Sequence, residues 1–78
     1  MAKRPNHAMP ADVAAALRSG GVAADYEARP HYQRNDYIGW IVGAKEERTR
    51  HNRIAQMVSE LKAGGVYMGM QHAPSRKA

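Results

Sequence analysis

The chain is 78 residues long and contains no cysteine, so it forms one small domain without disulfides or thiolate metal ligands. Ten residues are Leu, Ile or Val and none is Phe, which excludes a large substrate cavity and a two-domain enzyme. Twelve Lys and Arg against seven Asp and Glu give a net charge of +5. That balance favours anionic partners, although it is also usual for a small soluble protein.

Two features bear on where the protein resides. The basic residues near the start of the chain, Lys3 and Arg4, are not followed by the apolar stretch of a signal peptide. The longest apolar runs, such as residues 14–17, fall far short of the ~20 residues that a membrane span needs. We therefore expect a cytoplasmic protein that does not insert into a membrane.

Proline and glycine divide the middle of the chain into helical segments. Pro10 suits the first turn of a helix, and Gly20-Gly21 ends that helix. Arg29 must leave helical angles because Pro30 follows it, and Gly64-Gly65 ends the last apolar periodicity. The pattern predicts helices at about residues 10–19, 22–29, 32–44 and 46–63.

The segment at 32–44 is expected to be the central helix. Its apolar positions cover more than half of the circumference, so it must contact more than one neighbour, with Trp40 sealed between them. A single helix over 32–63 is the alternative to two separate ones. The predicted core of this all-α bundle of three to four helices comprises Leu17, Tyr26, Tyr37, Trp40, Ile41, Ala44, Ile54, Met57, Val58 and Leu61.

Two glycines, Gly39 and Gly43, lie one turn apart on another side of the predicted central helix. Each costs ~1 kcal/mol relative to Ala in an exposed helix. Either they provide a flat surface where a second backbone approaches closely, or they only lower the stability of the helix by an amount that the fold tolerates.

Both ends of the chain are expected to be disordered or loosely docked on the helical domain at 10–65. Residues 1–9 show no periodicity and are predicted to form a flexible N-terminal arm. Residues 66–70 are apolar but too few to fold alone, so they either dock on the bundle or stay loose. The tail at 66–78 is predicted to be mostly disordered, and no segment has the pattern of a strand.

The sequence contains no arrangement typical of catalysis or cofactor binding. Its histidines have no i, i+3 or i+4 spacing, and no serine lies in a nucleophile elbow. The double glycines follow helices, whereas a phosphate cradle opens one. We therefore expect no metal, no cofactor and no enzymatic activity. The four histidines are His7, His31, His51 and His72.

One concentration of basic residues suggests a binding site. It comprises Lys45, Thr49, Arg50 and Arg53, around the start of the predicted last helix. On a helical wheel Arg50 points toward the apolar side, where an unpaired guanidinium would cost several kcal/mol. Arg50 is expected either to tie the last helix to the central helix or to bind an anion. These four residues are the candidate site for an anion or a partner.

The central residues also resemble a known protein family. Residues 37–45 (Tyr-Ile-Gly-Trp-Ile-Val-Gly-Ala-Lys), followed by Thr49-Arg50 and Arg53-Ile54, are similar to the pattern of the YdeI/OmpD-associated (bacteriocin-protection) family. Residues 10–17 resemble the first helix of that family's C-terminal helical module. Arg48 stands where the family usually has an acidic residue, which puts its ion pairs in doubt here.

The resemblance implies a helical module with no established enzyme activity. It points to an accessory or interaction role in bacterial envelope stress or tolerance of antimicrobial peptides and bacteriocins. The expected partner is then another protein, with the chain itself a monomer or weak homodimer. The alternative is a small basic protein that binds nucleic acid through Lys45, Arg48, Arg53 and Lys62.

Overall fold

The computed structural model describes residues 6–71. These residues form four helices, α1 (Ala11–Ser19), α2 (Ala23–Ala28), α3 (His31–Val42) and α4 (Glu47–Ala63). Two short strands follow, β1 (Val66–Tyr67) and β2 (Met70–Gln71). The predicted all-α fold is confirmed, and each helix begins and ends within two residues of its predicted position. The last two helices are separate, so a single helix over 32–63 is excluded.

The longest helix, α4, occupies the centre of the bundle. It contacts α1, α2, α3 and β1, so every other helix lies against some part of it. The expectation that α3 is the central element is therefore wrong. With 17 residues α4 offers the longest surface, and its buried positions Met57 and Leu61 lie one turn apart on one side.

Six of the ten predicted core residues are confirmed as buried, and Trp40, Ala44, Ile54 and Val58 are only partly buried. The expectation that Trp40 is sealed in the core is wrong. The buried face of α3 is centred on Tyr37, Ile38 and Ile41, and Trp40 lies on its flank. Among residues 6–71 the buried apolar core is Val13, Leu17, Val22, Tyr26, Tyr37, Ile38, Ile41, Met57 and Leu61.

Residues 66–71 form a small antiparallel hairpin that packs on the bundle. Val66 pairs with Gln71 and Tyr67 with Met70. Met68 and Gly69 connect the strands with φ angles of 52° and 82°, the left-handed values of a tight two-residue turn. For residues 66–70 the structure shows the docked alternative, whereas the predictions of a mostly disordered tail and of no strand are wrong for residues 66–71. The tail residues 72–78, with His72, lie outside the described residues.

The described part of the N-terminal arm lies against α3. The backbone N–H of His7 donates to Oδ1 of Asn35 at 2.8 Å. The imidazole of His7 covers Gly39, because a Cβ built at that glycine would lie 2.7 Å from Nε2. The close approach at Gly39 thus comes from a side chain of the same chain. At Gly43 the nearest atoms belong to the backbone of α3 itself.

None of the helices within residues 6–71 is both long enough and apolar enough to span a bilayer.

Candidate functional site

The four residues of the predicted basic site lie in and just after the turn between α3 and α4. Lys45 is exposed in the turn itself, and Thr49 is partly buried in the first part of α4. The two arginines leave α4 in different directions, toward α1 and toward α3. The structure therefore does not bring the four side chains together around one point.

Arg50 forms an ion pair with Asp12 of α1. Its Nε and Nη2 donate to the two carboxylate oxygens of Asp12 at 2.8 and 3.0 Å. The expectation that Arg50 ties α4 to α3, the helix predicted to be central, is wrong, because its partner lies on α1. The hydrogen bond from Arg50 lowers the pKa of the Asp12 carboxyl, and the same bond raises the pKa of Arg50.

Arg53 makes the contact with α3 that was expected of Arg50. Its Nη1 donates to the backbone oxygen of Trp40 at 2.6 Å, and its guanidinium carbon lies 5.3 Å from the centre of the indole ring. Trp40 O is one of the last carbonyls of α3, where a cation is favoured by the helix dipole. Arg53 therefore caps α3 and shields one face of Trp40.

The Arg50–Asp12 pair predicts a pH-dependent contribution to stability. Because pairing lowers the pKa of Asp12 in the folded state, the contribution is present above the ordinary aspartate pKa and is lost as pH falls through the lowered value. Both side chains are partly exposed, so Arg50→Gln should lower the melting temperature at about pH 7 by only a few degrees. Near about pH 2 the variant and the natural chain should melt together.

Thermal melts followed by circular dichroism at both pH values test this, with Arg48→Gln as the matched control. Arg48 is exposed in the same turn of α4, and its replacement by Gln removes the same charge. A difference for Arg50→Gln that persists unchanged at low pH would contradict the assignment of the pair.

An open apolar groove of about 600 Å³ lies between α1 and α4. Within it Gly20 lies directly against Val58, since a Cβ built at Gly20 would come within 2.8 Å of Val58 Cγ1. We call this feature the α1–α4 groove. It is lined by Ala16, Ser19, Gly20, His51, Ile54, Ala55, Val58, Ser59 and Lys62.

Sequence reasoning missed this groove, although a faint signal exists. Small residues recur four positions apart along both segments, as Ala16 on α1 and Gly20 directly after it, and as Ala55 and Ser59 on α4. Small side chains on facing helices leave space that larger residues would fill. Only the packing of α1 on α4 shows that these two small-residue faces meet each other.

A second feature that sequence reasoning missed is the buried carboxylate of Glu60 on α4. It accepts hydrogen bonds from Oη of Tyr37 at 2.5 Å and from the backbone N–H groups of Met68 and Gly69, each at 2.7 Å. Nε2 of Gln56 donates to Oε2 of the same carboxylate at 3.1 Å, the oxygen that also accepts from Gly69. Glu60 thereby holds the turn of the hairpin against α3 and α4, and we call this arrangement the Glu60 clasp.

The buried polar groups around the clasp are also paired. Arg29 is 5% exposed and donates to Oε1 of Gln33 at 3.2 Å and to the backbone oxygen of Glu60 at 3.4 Å. Tyr67 donates to Asp36 at 2.7 Å. Within residues 6–71 no buried side-chain nitrogen or oxygen is left without a partner. A buried network in which each of these polar atoms has a partner stabilises the fold.

Two tyrosines of this network are held in the neutral form. Burial, followed by the hydrogen bond to Glu60, raises the pKa of Tyr37. Burial, followed by the bond to Asp36, likewise raises the pKa of Tyr67. Both phenols therefore act as hydrogen-bond donors. Among the described residues no three His, Asp or Glu side chains are placed to hold a metal ion.

The fold and these contacts define a small helical bundle with an open apolar groove and a fully paired polar interior. Residues 6–64 match the family described as Bacteriocin-protection, YdeI or OmpD-Associated, and this range covers about three quarters of the chain. The chain therefore belongs to this family, as its motifs predicted. No curated protein and no solved structure matches the sequence of this chain.

Proposed function

We propose that this protein is a non-enzymatic interaction module with a YdeI/OmpD-associated role, and that its partner is another protein. Its biological setting would be bacterial envelope stress or tolerance of antimicrobial peptides and bacteriocins. Membership of the family supports the setting. The observation that carries the interaction role is the α1–α4 groove, which leaves partly buried apolar side chains, Ile54 and Val58, open to a partner.

The shape of the groove suits a helical segment of the partner. Along α4 the lining runs from His51 to Lys62, which at about 1.5 Å per residue is about 16 Å, or three helical turns. Small residues on both walls allow a second helix to approach closely, and the floor offers Ile54 and Val58 to its apolar side chains. A short amphipathic helix that inserts apolar residues at i, i+3, i+4 and i+7 fits these dimensions.

The charges around the groove favour an acidic partner. Of the described residues, the titratable side chains that line it are His51 and Lys62, at opposite ends of the lined part of α4, and none is a carboxylate. The chain as a whole carries a net charge of +5. Acidic residues at the two ends of a bound helix would therefore lie in the positive electrostatic potential near both ends of the groove. We accordingly assign the groove to an acidic amphipathic helix.

This proposal is tested with a synthetic peptide of about fourteen residues that carries Leu on one helical face and Glu on the other. In a titration followed by NMR, the amides of groove residues should shift and saturate. The variant Ala55→Glu places a large anionic side chain in the groove and should weaken binding at least ~tenfold. The matched control is Ala15→Glu on α1, an exposed alanine outside the groove, which should bind as the natural chain does.

Three outcomes would overturn the proposal. The first is the absence of saturable shifts, and the second is equal weakening by Ala55→Glu and Ala15→Glu. The third is binding of an oligonucleotide in place of the peptide, with affinity that falls by ~0.9 log units per phosphate contact for each tenfold rise in salt. On that alternative Lys45 and Lys62 would act together, yet Lys45 lies in the turn before α4 and Lys62 in its last turn, so most of the 17-residue helix, more than about 20 Å, separates them.

A further inference from the structure

A second, smaller cavity lies where the N-terminal arm crosses α2 and α3. Its volume is about 160 Å³. Three basic side chains line it, His7 from the arm and His31 and Arg34 from α3, together with the amides of Asn6 and Asn35. We call this cavity the arm pocket. None of its residues lines the α1–α4 groove.

The arm pocket is built by a specific contact of the arm. His7 donates its backbone N–H to Asn35, and its imidazole rests on Gly39, where the missing side chain leaves space for the ring. On α3, His31, Arg34 and Asn35 occupy positions i, i+3 and i+4, so they share one face of the helix. The arm thus adds an imidazole to a helix face that already carries a guanidinium and a second imidazole.

The orientation of Arg34 leaves donors available to a ligand. Its Nε donates to the backbone oxygen of Arg29 at 3.1 Å, and its Nη1 lies 3.4 Å from the exposed carboxylate of Glu27. These two bonds use two of the five N–H donors of a guanidinium and hold its plane in place. Among the residues that the structure describes, basic and amide groups line the pocket and no carboxylate does.

We propose that the arm pocket binds a phosphate group, held by Arg34, His31 and His7. The volume equals that of about five water molecules, which accommodates one tetrahedral oxyanion with bound water but excludes a whole nucleotide. A planar guanidinium beside imidazole donors matches the oxygens of such an anion. Because His7 belongs to the arm, the bound anion would also tie the arm to α3.

The first experiment is an NMR titration with inorganic phosphate at constant ionic strength, with chloride as the control salt. Amides of residues 7, 31, 34 and 35 should shift and saturate with phosphate and stay unchanged with chloride. A parallel titration with glycerol 3-phosphate separates the sources of the group. Binding by both indicates that a phosphate monoester is accepted, and binding by inorganic phosphate alone restricts the site to the free ion.

Matched variants test the residues. Arg34→Gln should weaken phosphate binding at least ~tenfold, because a charge-assisted contact is lost. His31→Gln should weaken it as well, and since His31 is exposed this variant leaves the fold intact. The controls are Arg18→Gln on α1 and His51→Gln on α4, which remove the same groups from exposed positions outside the pocket. Circular dichroism verifies the helical content of every variant.

The proposal is overturned if phosphate and chloride give the same shifts, or if shifts spread equally over all basic residues. It also fails if Arg34→Gln and His31→Gln, both folded, bind phosphate as tightly as the two controls. Shifts at residues 7 and 31 with Zn²⁺ in the absence of any with phosphate would instead indicate a metal site. The acidic peptide is not used here, so failure of this proposal leaves that of the groove untouched.

Discussion

Replacement of Glu60 by Ala should lower the free energy of unfolding by about 2–4 kcal/mol. The variant removes the acceptor of the buried Tyr37 hydroxyl and of two backbone N–H groups in the hairpin turn. A domain of this size has only ~4–12 kcal/mol of stability in total, so the loss is a large share of it. The melting temperature should fall by ~10–25 °C, as measured by circular dichroism.

A graded variant and a neighbouring control make this prediction specific. Glu60→Gln keeps one acceptor oxygen and should fall between Glu60→Ala and the natural chain. Ser59→Ala alters the adjacent exposed residue of α4 and should melt within ~2 °C of the natural chain. NMR should show the amides of Met68 and Gly69 losing their protection in Glu60→Ala. A melting temperature for Glu60→Ala equal to that of Ser59→Ala would refute the clasp.

Replacement of Ile41 by Ala should cost about 2–5 kcal/mol, since it leaves a cavity in the core. Ile41 is 0% exposed and lies between α3 and α4 with Tyr37 and Met57. The matched control is Val42→Ala, the next residue on the same helix, which is 39% exposed. That control should change the free energy of unfolding by no more than about 0.5 kcal/mol. Urea unfolding curves of both variants measure the difference.

The same region of α3 permits an optical measurement. Trp40 is partly buried, with Arg53 over its ring, so acrylamide should quench its fluorescence to an intermediate extent. Arg53→Ala should increase the quenching, because it uncovers one face of the indole. Fluorescence that resists the quencher completely would place Trp40 in the sealed core and contradict its partly buried position on the flank of α3.

The boundaries of the helices could be predicted from the residues directly next to them in the sequence. Pro10 and Pro30 start segments, and Gly20-Gly21 and Gly64-Gly65 end them, so these boundaries depend on the angles of a few adjacent residues. The family motif at 37–45 was equally local, and the comparison with known families confirmed it. The hairpin was missed because its turn is Met68-Gly69, which lacks the Asn-Gly or Asp-Gly signal of such turns.

Partners of the charged side chains could not be found from periodicity. A helical wheel places Arg50 on the apolar side of α4 and Arg53 on its flank, but it does not say which helix lies against either residue. Here α1 lies on the side of Arg50, and the end of α3 lies on the side of Arg53. Glu60 shares a stripe with Met57 and Leu61, and two of its donors are backbone N–H groups of a turn eight and nine residues further along the chain.

The amino-acid sequence alone thus determined the helical class, the helix boundaries and the family, because each rests on neighbouring residues or on a contiguous motif. Tertiary structure decided which helix is central, which arginine meets which partner, and where the α1–α4 groove and the arm pocket form. Those features arise between segments distant in the chain, and their geometry depends on how the helices rotate and cross when the core packs.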